Sequence, residues 1–140
     1  MSYVRERSAG HISEQAAWKR KVVVVVSSDR IFAESLRSHL AREFDVLLAR
    51  NGGEAAAKAV AVHVDVAVVD LGSPILGLSA LGRMRDLNPA PILCALAVPE
   101  PHSAKLDFDF DYVLARPARG SDLPERIRFV LAKSASQDSA

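Results

Sequence analysis

The stretch "KVVVVVSSDR", Lys21 to Arg30, limits this chain more than any other feature. Five consecutive valines carry no polar/apolar alternation, so the segment has no face that belongs in water. β-branched residues favour extended backbone, and an unbroken apolar run of this length reads as a strand covered on both faces. Strands of that kind occur in parallel sheets with helices on either side. In such sheets the residues just past a strand's carboxyl end line the ligand crevice. Here those residues are Ser27 and Ser28, followed by Asp29.

The rest of the chain repeats the alternation. "RIFAESLRSHLAREF" places Ile31, Phe32, Leu36 and Leu40 at helical spacing, with Ser28 or Asp29 as the cap. "FDVLLA", "VDVAVV", "PILCALA" and "DYVLA" read as further strands. "NGGEAAAKAVAVH" and "GLSALGRMRDL" read as helices between them. "SDLPERIRFVLAK" reads as a closing helix with Leu123, Ile127, Val130 and Leu131 on one face. Its Pro124 falls in the first turn, where a missing N–H does no harm. Five strands interleaved with helices predict right-handed crossovers and one parallel sheet covered on both sides. The segment "VPEPHSAKLDFDF" breaks the rhythm, because Pro99 and Pro101 delay any helix to His102 and leave it a turn or two. The fourth helix is therefore expected to be shortened. The predicted organisation is an extension over 1–20, one domain over 21–133 and a small polar tail, expected to fray, over 134–140. In the extension, either a loose arm or a short helix that docks Trp18 is compatible with "EQAAWKR".

Composition removes several function classes. At 140 residues with net charge +1, the chain offers no broad basic field for nucleic acid. A single cysteine, Cys94, precludes an internal disulfide framework and suits a reducing compartment; its apolar strand makes it a core residue rather than a nucleophile. No stretch reaches the roughly 18–20 apolar residues needed to span a bilayer. The first residues lack a signal-peptide-like apolar run, so a cytoplasmic setting is expected. No G-x-G-x-x-G follows the first strand and no G-x-x-x-x-G-K-[ST] occurs. "GLSALG" around Ser79 has Leu81 where a nucleophile elbow needs its second glycine. His11, His39, His63 and His102 lack metal-ligand spacing and are expected near the surface.

What remains is Asp70, which closes the third strand in "VDVAVVDLGSPILG" and opens on the crevice. It reads either as a turn or helix-cap aspartate or as an acyl-phosphate acceptor. "VDVAVVDLGSP", with Pro74 four residues on, is similar to the phosphorylation segment of bacterial response-regulator receiver domains. "ARNGGEAAAKAV" resembles that family's exit from strand two, and "DYVLARPARGSDLPERI" its last strand, basic-residue–proline pair and terminal helix. The resemblance runs from Lys21 to Lys133. It implies a flavodoxin-like, three-layer, doubly wound sheet of strand order 2-1-3-4-5, acting as a non-enzymatic signalling module.

The resemblance also marks departures. The family's two acidic Mg²⁺ ligands fall on Ser27 and Ser28, and Asp29 comes one residue too late. Mg²⁺ is a hard ion that favours carboxylate oxygens, so Mg²⁺ binding and Mg²⁺-dependent phosphorylation are expected to be weak or absent. The family's switch hydroxyl falls on Leu96, its lysine on Arg116 and its switch aromatic on Val113. Arg116 either pairs with Asp70, its planar fork suiting a carboxylate, or points to solvent. The expected protein is an atypical receiver that binds a protein partner or a second copy of itself, without nucleic acid, membrane span or cofactor. The alternatives are a phosphoryl-accepting switch on Asp70, with Asp29 reaching the crevice, or the regulatory front end of a longer localisation or assembly ATPase. Phe108, Phe110, Tyr112 and Arg119 form the candidate interaction surface. The "LDFDFDY" aromatics read either as a buried strand lead-in or as an exposed patch.

Overall fold

The structure is a computed structural model that describes residues 20–71, 82–87, 89–97, 110–115 and 119–138. The strands are β1 (Val22–Val26), β2 (Asp45–Ala49), β3 (Val66–Asp70), β4 (Ile92–Ala97) and β5 (Tyr112–Ala115). The helices are α1 (Arg30–Leu40), α2 (Gly52–Ala61) and α3 (Leu123–Asp138), the last entered through a 3-10 turn at Gly120–Asp122. Residues 82–85 are also helical. The five strands form one sheet in the order β2-β1-β3-β4-β5, with every pairing parallel.

The valine run works as its composition requires. Val22, Val24 and Val26 join a core layer with Ala55 of α2 and Met84. Val23 and Val25 join the opposite layer with Ala33, Leu36 and Leu40 of α1 and Leu123, Ile127 and Val130 of α3. Both faces of β1 are covered, so each valine leaves water; five such burials supply on the order of 10 kcal/mol of transfer free energy at about 2 kcal/mol per side chain.

Local chemistry starts the helices. Asp29 is the α1 cap, its Oδ1 accepting the Phe32 N–H at 3.1 Å. Asn51 caps α2 through the Glu54 N–H at 2.9 Å, while Glu54 Oε1 reaches back to the Arg50 N–H at 3.1 Å. That backbone bond is the main reason the Glu54 carboxyl titrates below its ordinary value, with the Arg50 and Lys58 charges also favouring the anion.

Two expectations need correction. Ile31 is 85% exposed rather than part of the α1 core stripe. At 3.6 residues per turn it lies about 140° around the helix from Leu36, and the stripe that packs is Ala33, Leu36 and Leu40. The closing helix also continues past Lys133 to Asp138. "SASQD" contains neither glycine nor proline, so nothing local stops propagation. The proposed shortened fourth helix and Trp18 lie outside the described residues.

Candidate functional site at the carboxyl edge of β1 and β3

Strand order 2-1-3 makes the chain reverse its winding at β1, so the loops after β1 and β3 diverge and leave a crevice between them. Val26 is in register with Val69, which makes the next residues, Ser27 and Asp70, neighbours at that crevice. Among the described residues, Ser27 and Asp70 are the two buried polar side chains, at 5% and 8% exposure. They bond to each other. Ser27 Oγ donates to Asp70 Oδ2 at 2.8 Å.

The serine is held on every side. Its backbone N–H donates to Ala49 O at 2.9 Å, and its Oγ accepts the Asp29 N–H at 3.1 Å. The hydroxyl has one hydrogen, and the 2.8 Å contact to a carboxylate outranks the 3.5 Å alternative to Asp29 O. Ser28 is exposed beside it. Asp29, one residue further on, uses Oδ1 at the α1 cap.

On the other side of Asp70 stands Leu96. The two are in register across β3 and β4, and the Leu71 N–H donates to Leu96 O at 2.9 Å. Leu96 is fully buried and contributes only methyl groups there. From Ser27 a crevice of about 540 Å³ opens between α1, α2 and the outer edge of β2. Arg30, Arg50 and Lys58 line it together with Glu34 and Glu54. Arg50 is paired with Glu54 at 3.5 Å, and Lys58 donates to Leu48 O. Sequence reading assigned no role to these cations, because only the folded β2 edge brings residues 30, 50 and 58 to one opening. Among the described residues, no three His, Cys, Asp or Glu side chains converge on a point where a metal ion could sit.

No known family profile matches the sequence. A putative transcriptional regulator of Haloferax volcanii is 30% identical over 132 residues, which is 94% of this chain and 22% of that protein. A protein-glutamate methylesterase/protein-glutamine glutaminase of Caldanaerobacter subterraneus is 36% identical over 80 residues, 54% of this chain and 22% of that protein. The chain thus spans about a fifth of the length of the curated relatives it matches. Among solved structures, a CheY-like response-regulator receiver domain protein from Methanospirillum hungatei superposes with a TM-score of 0.70 at 21% identity, covering 85% of this chain and 99% of that one. A response regulator from Thermotoga maritima gives 0.68 at 21% identity, covering 81% and 98%.

The fold is that of a response-regulator receiver domain. In this receiver fold Asp70 ends the third strand, as the resemblance implied, and Ser27 and Ser28 follow the first. Of the expected switch positions, Val113 is 53% exposed on β5, Leu96 is buried, and Arg116 lies outside the described residues. Of the expected interaction surface, Arg119 is exposed and Phe108 lies outside the described residues. Phe110 and Tyr112 are half-buried, Phe110 against the α2 layer and Tyr112 against the α1/α3 layer. Phe110 thus contributes part of its side chain to the core and keeps part at the surface. Cys94 is wholly buried on β4, where desolvation first and the Asp111 charge second push its thiol up to about 12. His63 is exposed and His39 half-buried. Among the described residues no helix is long and apolar enough to cross a membrane.

Proposed function

We propose that this chain is an atypical receiver domain, a non-enzymatic protein–protein signalling module in two-component-type regulation, in which a serine hydroxyl rather than a divalent cation holds the acceptor-position aspartate. The observation that carries the reading is the buried Ser27–Asp70 hydrogen bond at 2.8 Å. Mg²⁺ needs several oxygen lone pairs, with anionic ligands to offset its charge. Ser27 directs its hydrogen at Asp70 and accepts the Asp29 N–H, and the Asp29 carboxylate is engaged at a helix cap. The donor set does not fit the cation, and phosphoryl transfer that depends on it is weak or absent.

The module works by docking to a protein. One solved neighbour of the same fold is a receiver domain co-crystallised with a histidine phosphotransfer signalling protein. The partial coverage of the curated relatives supports a second element of the reading, that this type of domain controls an attached output segment, as the front end of a longer protein would. Direct nucleic-acid binding, a membrane span and a bound cofactor form no part of the proposed activity, and the proposed setting is cytoplasmic.

The test is a titration with Mg²⁺ and beryllofluoride, followed through backbone amide shifts of Ser27, Ser28, Asp70 and Leu71. Flat spectra through millimolar metal are expected. Saturable shifts localised to these amides would replace the scaffold reading with a phosphoryl-accepting switch on Asp70.

A further inference from the structure

The crevice that runs from Ser27 over the outer edge of β2 has a composition that the Asp70 corner does not use. Three elements build it. Arg30, Ala33 and Glu34 stand at i, i+3 and i+4 on α1 and so share one face. Leu48 and Ala49 close β2, with Arg50 directly after them. Glu54 and Lys58 stand at i and i+4 on α2. The apolar lining lies inward: Ala33 and Ala49 are buried and Leu48 is half-buried, while Arg30, Arg50 and Lys58 are exposed. A volume of about 540 Å³ falls within the roughly 300–1,000 Å³ of small-molecule sites. The position, at the carboxyl ends of β1 and β2, is where open parallel sheets hold ligands.

The charges at this opening do not cancel. Glu34 is paired at 2.7 Å with Arg37, a cation outside the crevice. Glu54 stands between Arg50 and Lys58 and balances one of them, pairing with Arg50 at 3.5 Å. Lys58 donates to Leu48 O, a neutral acceptor. Among the described residues Arg30 makes no ion pair and no side-chain hydrogen bond. Two positive charges, on Arg30 and Lys58, are left over beside an apolar lining.

We propose that this crevice binds a small organic phosphate, with the phosphate held by Arg30 and Lys58 and the organic body against Ala33, Leu48 and Ala49. A phosphate monoester carries a charge of about −1.5 to −2 at neutral pH, which matches the surplus; a carboxylate would leave half of it unmatched. The arginine fork takes two phosphate oxygens, and the lysine adds a point charge. Inorganic phosphate satisfies the cations but leaves the apolar lining in water, so an organic body adds affinity. The site uses no contact of Asp70. Saturable Mg²⁺ binding at Asp70 would therefore overturn the reading above and leave this one standing.

The test is an amide-shift titration of the full chain, without metal, using phenyl phosphate as the probe and inorganic phosphate as its comparison. Phenyl phosphate should shift the amides of Arg30, Ala33, Ala49 and Arg50 saturably, and bind several times more tightly than inorganic phosphate. Arg30→Gln and Lys58→Met should each weaken binding about tenfold, as expected for one lost charge-assisted contact. Both positions are exposed, and the amide spectrum itself reports whether each variant keeps the fold. Arg42→Gln, at an exposed cation past the far end of α1, should leave binding unchanged. No saturable shift would overturn the proposal, as would shifts confined to Asp70 and Leu71. Indifference to Arg30→Gln would overturn it too, and so would inorganic phosphate binding as tightly as phenyl phosphate.

Discussion

Ser27 and Asp70, 43 residues apart in sequence, meet at 2.8 Å as the buried polar pair of the carboxyl edge. Removing the hydroxyl leaves a buried carboxylate short of a donor. Hydrogen bonds to charged groups contribute about 1.5–3 kcal/mol, so Ser27→Ala should lower stability by roughly that amount. In a double-mutant cycle with Asp70→Ala, the second substitution should cost much less in the Ser27→Ala background than alone. Urea unfolding of the four proteins measures this; additive losses would mean that the contact contributes nothing.

Restoring acidic residues should restore cation dependence. Ser27→Asp combined with Ser28→Asp places three carboxylates at one edge, where like charges oppose folding unless a cation compensates. The double variant should melt below the unaltered protein in EDTA and recover with millimolar MgCl₂, while the unaltered protein melts at the same temperature in both. Equal responses to Mg²⁺ in the two proteins would contradict the proposed loss of the metal site.

Gly120 packs against α1 so closely that a methyl group does not fit. A Cβ there would lie 2.7 Å from His39 Cδ2 and 3.2 Å from the Ser35 carbonyl oxygen and Oγ. The imidazole can turn away, but the helix carbonyl cannot. Gly120→Ala should therefore cost about 1–3 kcal/mol, in the range of other overpacked sites. His39→Ala in the same chain should recover only part of it. Thermal melts of the single and double variants test both statements.

Cys94 should be inert to thiol reagents in the folded protein and react at the rate of global unfolding. Its thiol is raised from 9.0 to about 12, so the folded state keeps it neutral where the unfolded chain ionises. The sign follows: this contribution to stability is complete below pH 9 and is lost as pH rises toward 12. Cys94→Ala should remove that alkaline sensitivity, measured as the slope of stability against pH between 9 and 11. An unchanged slope would place its source elsewhere.

Much of the architecture was legible because its signals are local. The β1 valines, a cap at Ser28 or Asp29 and the α3 stripe of Leu123, Ile127 and Val130 each follow from a few adjacent residues. Ile31 was misread because an apolar residue at a helix start resembles a core position until the partner surface is known. The extent of α3 was missed because "SASQD" carries neither a stop signal nor an apolar stripe. At the site, the strand ends that carry Ser27, Asp70 and Leu96 were legible, whereas the direction of the serine hydrogen was not. Nor was any role evident for Asp65, whose carboxylate closes the first backbone donor of β1.

The chain's own order of apolar runs and caps thus determined the strands, the helices between them and the position of Asp70 at a strand's end. Tertiary structure decided which groups meet there. A strand of identical valines has no two-residue phase, so its sequence does not say which face each side chain takes or which partner stands alongside. That choice is made by parallel register with β2 and β3 and by helices packing on both faces, interactions between residues distant in sequence. Only after those contacts form does the Ser27 hydroxyl have a carboxylate to bond.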